Sequence, residues 1–227
     1  MKISEIFHSI QGEGILAGVP SVFVRTSGCN LRCTWCDTPY TSWNPEGAEM
    51  TVDDIVRRVR SYSCTHVVVT GGEPMIAPGM VDLTRALDEL GLHVTVETAG
   101  TVYQPIACHL MSISPKLANS TPKEREGGRW AAQHDRLRYQ PEVLRRLMAE
   151  YDHQFKFVVT HPADLGEIET LLTQTGAARN RVVLMAEGTS TDTIRLRAAW
   201  IADVCKREGF RYSPRLHIDL WGNERGR

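Results

Sequence analysis

No stretch of this 227-residue sequence approaches the ~20 consecutive apolar residues needed to cross a bilayer. An excess of charge of one sign is also missing. Lys and Arg number 26 against 27 Asp and Glu, a formal net charge of −1, which argues against a dedicated nucleic-acid or membrane-surface binder. The first residues, Met1 to His8, break their apolar character at Glu5 and His8, unlike a secretory signal, so a cytoplasmic protein is expected. In a reducing compartment the six cysteines are read as ligands or buried thiols rather than disulfides, and the sequon Asn119-Ser120-Thr121 is without consequence. Internal repeats and domain linkers are absent. What is present, 42% hydrophobic and 23% charged residues, suffices for a sizeable core and excludes disorder. One domain spanning residues 1–227 is expected.

Short β-branched runs alternate with helical periodicity. Strands are predicted at Ser21–Thr26, His66–Thr70, His93–Thr98, Leu110–Ser114, Gln154–Thr160 and Val182–Met185. Thr51 reads as an N-cap ahead of Val52, Ile55, Val56 and Val59. Met80, Leu83, Leu87 and Leu90 mark a helix that Gly91 ends. Further helices follow from Val143, Leu144, Leu147 and Met148; from Leu165, Ile168, Leu171 and Leu172; and from Ile194, Ala198, Ile201, Val204 and Cys205. This order indicates an α/β fold with a parallel sheet. Six strands fall short of a closed eight-stranded barrel, leaving a partial barrel or an open doubly wound sheet. A polar insertion around residues 119–140 stands apart, either a functional lid or a solvated excursion, with Trp130 and Leu137 placed to anchor a short helix.

Ligands in parallel α/β architectures sit beyond the carboxyl ends of the strands, and the unusual residues fall there. Strand one runs into Gly28-Cys29-Asn30-Leu31-Arg32-Cys33-Thr34-Trp35-Cys36-Asp37-Thr38, strand two ends in Thr70-Gly71-Gly72-Glu73-Pro74, and strand four in Ser114-Pro115-Lys116. Cys29, Cys33 and Cys36 can grip one metal centre but fall one ligand short of a tetrahedral zinc, and no second pair follows at zinc-finger spacing. A thioredoxin-like pair leaves Cys29 unexplained. A 4Fe–4S cluster takes one thiolate per iron, and three thiolates leave one iron open to a small molecule. Cys64, Cys108 and Cys205, in apolar or helical contexts, are expected to be buried thiols.

Cys-x3-Cys-x2-Cys with Trp35 before the last cysteine resembles the signature of radical S-adenosylmethionine enzymes, and Gly71-Gly72-Glu73-Pro74 resembles their glycine-rich segment, which receives the methionine end of that cofactor. Glycines there let backbone approach a ligand and offer unshielded N–H and C=O groups. Glu5 to Gly14, Val22 to Cys29, Trp35-Cys36-Asp37-Thr38 and Ser114-Pro115-Lys116 are similar to the 7-carboxy-7-deazaguanine synthase family, densely from Glu5 to Pro74 and patchily beyond. The resemblance implies a shortened, modified β6-type partial barrel, paired as a homodimer. It implies a carbon–nitrogen lyase that converts 6-carboxy-5,6,7,8-tetrahydropterin to 7-carboxy-7-deazaguanine, on the route to queuosine and other 7-deazapurines. The cofactors implied are a 4Fe–4S cluster, S-adenosylmethionine and Mg²⁺, with electrons from a flavodoxin-like reductant. Reductive cleavage of S-adenosylmethionine would give a 5′-deoxyadenosyl radical that takes hydrogen from the substrate and starts a ring contraction with loss of ammonia.

Carried over by position, Cys29, Cys33 and Cys36 hold the cluster. Trp35, Cys36, Asp37, Gly72, Ser114, Pro115 and Lys116 contact S-adenosylmethionine, with Met185-Ala186-Glu187-Gly188 cradling its adenine; many relatives have proline where Ala186 stands. Ile10, Gln11, Gly12, Glu13, Arg25, Thr70 and His217 face the substrate. Gln11 or Glu13 suits the paired donors of a pterin edge, and Arg25 a carboxylate. Arg25 as a surface ion pair and His217 as a packing residue are the plain alternatives. Glu97 either touches the cofactor ribose or closes a buried network. Thr38 either holds Mg²⁺ or caps a helix or turn. Two rivals remain: a radical enzyme that activates a partner protein, which has no use for Gln11-Gly12-Glu13-Gly14 and Arg25, and a non-enzymatic iron–sulfur or zinc module.

Overall fold

The computed structural model describes every residue from Met1 to Arg227. In chain order the elements are β1 (Lys2–Ile10), β2 (Pro20–Thr26), α1 (Pro39–Ser42), β3 (Ala48–Glu49), α2 (Val52–Arg60), β4 (His66–Gly71), α3 (Met80–Glu89), β5 (His93–Thr98), β6 (Leu110–Ile113), α4 (Ala131–Leu137), α5 (Pro141–Glu150), β7 (His153–Val159), α6 (Asp164–Thr175), β8 (Val182–Ala186), α7 (Thr191–Glu208), β9 (Arg211–Ser213) and α8 (Leu216–Trp221). One nine-stranded sheet has the order β3-β1-β2-β4-β5-β6-β7-β8-β9. From β2 to β9 every pairing is parallel, whereas β1 and β3 are antiparallel additions at one edge. The two edge strands do not pair, so the sheet is an unclosed, partial barrel.

All six predicted strands are present, and three more extend the sheet. The polar residues Ser4, Glu5, His8 and Ser9 hid β1, and β3 and β9 are too short for a periodic signal. Thr51 begins α2 with a reciprocal capping box: the Asp54 N–H donates to its hydroxyl at 3.1 Å, and its own N–H donates back to the Asp54 carboxylate at 3.4 Å. Gly91, at φ +73°, follows α3 as expected.

The period of two along each strand separates two faces. Val22, Val24, Val67, Val69, Val94, Val96, Met111 and Ile113 point outward and join one apolar cluster with Ile55 of α2, Leu83 of α3, Leu144 of α5, Ile168 of α6 and Ile201 of α7. Phe23, Arg25, Thr70, Glu97 and Lys156 point inward to a concave cavity. The loop after β1 crosses beneath that cavity. The Ile15 N–H donates to Gln154 at 2.9 Å, the Gly14 N–H to Ser213 at 2.8 Å, and the Leu216 N–H to the Gly12 carbonyl at 3.0 Å. A loop from one edge of the sheet thereby reaches β9 at the other, bridging the gap that strand pairing leaves open. Of the outlying thiols, Cys205 is buried as expected, whereas Cys64 and Cys108 are only half-buried, lying at the margins of the apolar cluster.

Candidate active site

The cavity measures about 260 Å³. One wall is the cysteine loop leaving β2. Its path is fixed by hydrogen bonds rather than regular structure: the Gly28 N–H donates to the Thr41 carbonyl at 2.8 Å, Trp43 Nε1 to the Cys33 carbonyl at 3.0 Å, and the Thr34 N–H to the Ser120 carbonyl at 2.8 Å. Cys29, Cys33 and Cys36 all face the cavity. The Leu31 N–H reaches Cys29 Sγ at 3.3 Å, and Cys36 Sγ lies 3.2 Å from the Ser42 hydroxyl. Burial pushes the Cys29 thiol up to about 12, with nearby Glu73 adding to it, and raises Cys33 and Cys36 as well. Three clustered thiols, one buried and two half-buried, become mutually repelling thiolates together only against a compensating positive centre.

The three thiols share one wall, packed with Leu31 and Ala99, and suit one thiolate for each of three irons. The glycine pair shows why only glycine fits. A Cβ on Gly71, whose φ is +144°, would lie 2.3 Å from the Thr26 carbonyl oxygen, and one on Gly72 would lie 2.2 Å from that of Gly28. The end of β4 is thereby clamped against the start of the cysteine loop. Glu73, fully buried, accepts from the Ala99 N–H and the Thr98 hydroxyl, each at 2.7 Å, and ties this turn to β5.

Opposite the thiols lies a charged floor. Lys156 Nζ donates to Glu13 at 2.5 Å and lies 3.6 Å from Glu97, while Arg215 Nε donates to Glu13 at 3.1 Å. Although burial disfavours its charge, Lys156, Arg215 and His217 together hold the Glu13 carboxyl far below the usual range, and Lys156 is raised in return. Gln11 Nε2 donates to Glu97 at 3.2 Å and the Thr70 hydroxyl to Glu97 at 2.8 Å. Arg25 is half-buried on the cavity wall, where its Nε donates to Glu5 at 2.6 Å.

The structure brings most of the predicted residues to one cavity. Ile10, Gln11, Glu13, Arg25, Thr70 and His217 line the floor side. Trp35, Asp37, Thr38, Gly72, Ser114, Lys116 and Met185 line the side near the thiols. Gly12 stands just behind, where a Cβ would lie 2.0 Å from His217 Nδ1; His217 thus both packs on the loop and faces the cavity. Pro115, Ala186, Glu187 and Gly188 do not line it. The strand period decides this for Ala186: with Met185 inward, Ala186 joins the outer apolar cluster, and Glu187 turns to Arg197 of α7 at 3.1 Å. Glu97 closes the floor network. Thr38 stands at the N-cap of α1 without a side-chain capping bond to the helix; its hydroxyl accepts from Thr41 at 3.4 Å and lies 3.8 Å from Cys36 Sγ.

Sequence reasoning missed Lys156, Arg215 and Tyr40. Lys156 had a readable signal, since Gln154, Lys156 and Val158 alternate with Phe155, Phe157 and Val159. Arg215, in a turn after a three-residue strand, had none. The 119–140 insertion is no solvated excursion. Its first residues, followed by α4, pack on the cysteine loop, with Trp35 Nε1 donating to the Asn119 carbonyl at 3.0 Å and the Arg32 N–H to His134 Nδ1 at 3.1 Å. The C-terminal residues Asn223 to Arg227 cross the cavity mouth, where Arg225 pairs with Glu5 at 3.3 Å and Glu46 at 3.0 Å.

A parallel partial barrel with three clustered thiols and a glycine clamp at its strand ends defines a radical S-adenosylmethionine protein, and the Radical SAM superfamily model matches residues 23–114, the stretch holding both features. The 7-carboxy-7-deazaguanine synthase of Halobacterium salinarum is 49% identical over 98% of this chain and 91% of its own length. Its counterpart in Rhodopirellula baltica is 44% identical over 100% of this chain and 88% of its own. The crystal structure of QueE from Escherichia coli matches with a TM-score of 0.70 at 25% identity, covering 93% of this chain and 92% of that one. The chain belongs to the 7-carboxy-7-deazaguanine synthase family. Its cofactors are therefore a 4Fe–4S cluster and S-adenosylmethionine. No helix is long and apolar enough to cross a membrane.

Proposed function

We propose that this chain converts 6-carboxy-5,6,7,8-tetrahydropterin to 7-carboxy-7-deazaguanine and ammonia, a redox-neutral ring contraction. The observation that carries this reading is one cavity shared by the three thiols and a floor bearing Gln11, Glu13 and Arg25. Cys29, Cys33 and Cys36 hold the cluster. When bound, cluster and S-adenosylmethionine together supply the electron and the hydrogen-abstracting radical. Every other task falls to protein groups. Glu13, kept ionised by Lys156 and Arg215, is an acceptor only and matches adjacent N–H donors on the pterin. Gln11, hydrogen-bonded to Glu97, reads the same edge. Arg25 turns one side of its guanidinium to the substrate carboxylate while Glu5 holds the other. Trp35, Asp37, Gly72, Ser114, Lys116 and Met185 position S-adenosylmethionine, and the turn of Ala186, Glu187 and Gly188, just behind the lining, backs its adenine end. Thr38 offers one oxygen to Mg²⁺ beside the substrate. The chain works as one cytoplasmic domain, paired as a homodimer and reduced by a flavodoxin-like donor.

The test is anaerobic reconstitution, followed by incubation with the carboxypterin, S-adenosylmethionine, dithionite and Mg²⁺ and a mass measurement of the deazaguanine. Cys29→Ala, Cys33→Ala and Cys36→Ala should each lose the cluster and all turnover. Cys205→Ala should keep both, because Cys205 packs in the outer apolar cluster. Full iron retention in all three triplet variants would overturn the ligand assignment, and absence of deazaguanine from the loaded wild type would overturn the reaction.

A further inference from the structure

Arg215 lies between β9 and α8, is 5% exposed, and uses each of its three nitrogens. Nε donates to Glu13 at 3.1 Å, Nη1 donates to the Gly188 carbonyl, and Nη2 pairs with Asp37. These partners come from three separate strand ends. Glu13 belongs to the loop after β1 that forms the cavity floor, Asp37 directly follows the last cysteine of the triplet, and Gly188 stands in the turn after β8. The neighbouring Leu216 N–H donates to the Gly12 carbonyl at 3.0 Å, which fixes the same floor loop a second time.

We propose that Arg215 is a positioning residue that couples the two halves of the cavity, so that S-adenosylmethionine bound beside Asp37 and Gly188 orders the floor loop that receives the carboxypterin, and the reverse. This rests on the assignment of the two halves made under Proposed function. A planar guanidinium with donors on three sides is suited to the task, because it holds three acceptors at fixed mutual angles. An ammonium is a point charge and reaches one or two of them. Without the guanidinium, Asp37 loses its partner while Glu13 retains Lys156, so the floor keeps its charge balance but is cut off from the cysteine loop. Coupling between two sites is reciprocal, and typical values amount to roughly 5- to 150-fold in affinity.

The test uses reconstituted protein without reductant, so that S-adenosylmethionine binds but is not consumed. In the wild type, carboxypterin should tighten S-adenosylmethionine binding by roughly 5-fold or more in calorimetry. S-adenosylmethionine alone should slow hydrogen exchange at the amides of Glu13, Gly14 and Ile15. In Arg215→Lys, with iron content and melting temperature retained, the affinity gain should shrink to within about twofold and the exchange effect vanish. A variant that keeps the wild-type coupling factor, or a wild type whose floor loop exchanges at the same rate with and without S-adenosylmethionine, overturns the proposal. The exchange measurement does so even if Arg215→Lys fails to fold. If carboxypterin does not bind the wild type at all, the substrate reading falls, and the exchange response to S-adenosylmethionine alone still decides the coupling.

Discussion

The two faces of the same strands are made of different material. Along β7, Phe155, Phe157 and Val159 point outward and are fully buried in the helix-covered core, while Gln154, Lys156 and Val158 point inward. The outer face is continuous hydrocarbon, including stacked Phe155 and Phe157 rings 6.1 Å apart. The inner face holds charge, with buried Lys156 against Glu13 and Glu97, buried Arg215 against Glu13 and Asp37, and half-buried Arg25 against Glu5. Buried ion pairs of this kind regain little more than their desolvation cost, whereas buried hydrocarbon contributes roughly 25 cal/mol per Å². Stability is therefore concentrated outside and recognition inside, separated by the thickness of one sheet.

The largest effect should come from the outer face. Phe157→Ala removes a fully buried ring and is expected to cost about 3–5 kcal/mol in urea unfolding, with turnover per folded molecule unchanged. A variant of wild-type stability and reduced turnover would show that the outer core shapes the cavity directly.

A smaller but opposite pattern is expected from Arg25→Ala. Glu5 keeps partners without it, the Tyr40 hydroxyl at 3.0 Å and Arg225 at 3.3 Å, so the stability change should stay near 1 kcal/mol. Deazaguanine formation should fall by roughly 10- to 150-fold, the value of about 1.5–3 kcal/mol for one partner of a charge-assisted bond. Slow reductive cleavage of S-adenosylmethionine should persist. Arg25→Lys should not restore the rate, since an ammonium lacks the planar fork. Deoxyadenosine and deazaguanine measured in one reaction decide the matter, and an unchanged ratio and rate would make Arg25 a structural charge only.

What was legible beforehand follows from how local each signal is. The six parallel strands announced themselves through β-branched runs, so His93–Thr98 was located to the residue. The thiol triplet and the glycine pair are short motifs whose meaning needs no distant partner. Lys156 and Arg215 acquire theirs only in three dimensions, because the Lys156–Glu13 bond spans 143 residues and the Arg215–Glu13 bond 202. β1 was missed because polar side chains erase its pattern; β3 covers only Lys2 and Ile3, and the rest of the strand tolerates such residues along its outer side. Motif position brings Ala186 to the adenine end, whereas the strand period turns its side chain, the last of β8, to the outer cluster.

The smallest effect concerns the insertion that covers the cysteine loop, where a polar group is buried outside either face of the sheet. His134 is 1% exposed; its Nδ1 accepts from the Arg32 N–H at 3.1 Å, and its Nε2 lies 2.9 Å from the Ser120 hydroxyl. An Nδ1 that accepts must be unprotonated, so the fold selects the neutral ring, and burial lowers its pKa from the ordinary 6.5 to about 4. The unfolded chain therefore binds the proton first as pH falls. The stabilisation is complete above about pH 6.5 and is lost progressively towards pH 4. Between pH 7 and pH 5 this amounts to about 1–2 kcal/mol once partial solvent screening is allowed for. His134→Asn preserves an acceptor opposite the Arg32 N–H and removes the titration. Urea unfolding of both proteins across this range should show the wild type losing stability relative to the variant, accompanied by faster hydrogen exchange at Arg32. Parallel losses in the two proteins would mean that protonation of His134 does not loosen the cover over the thiols.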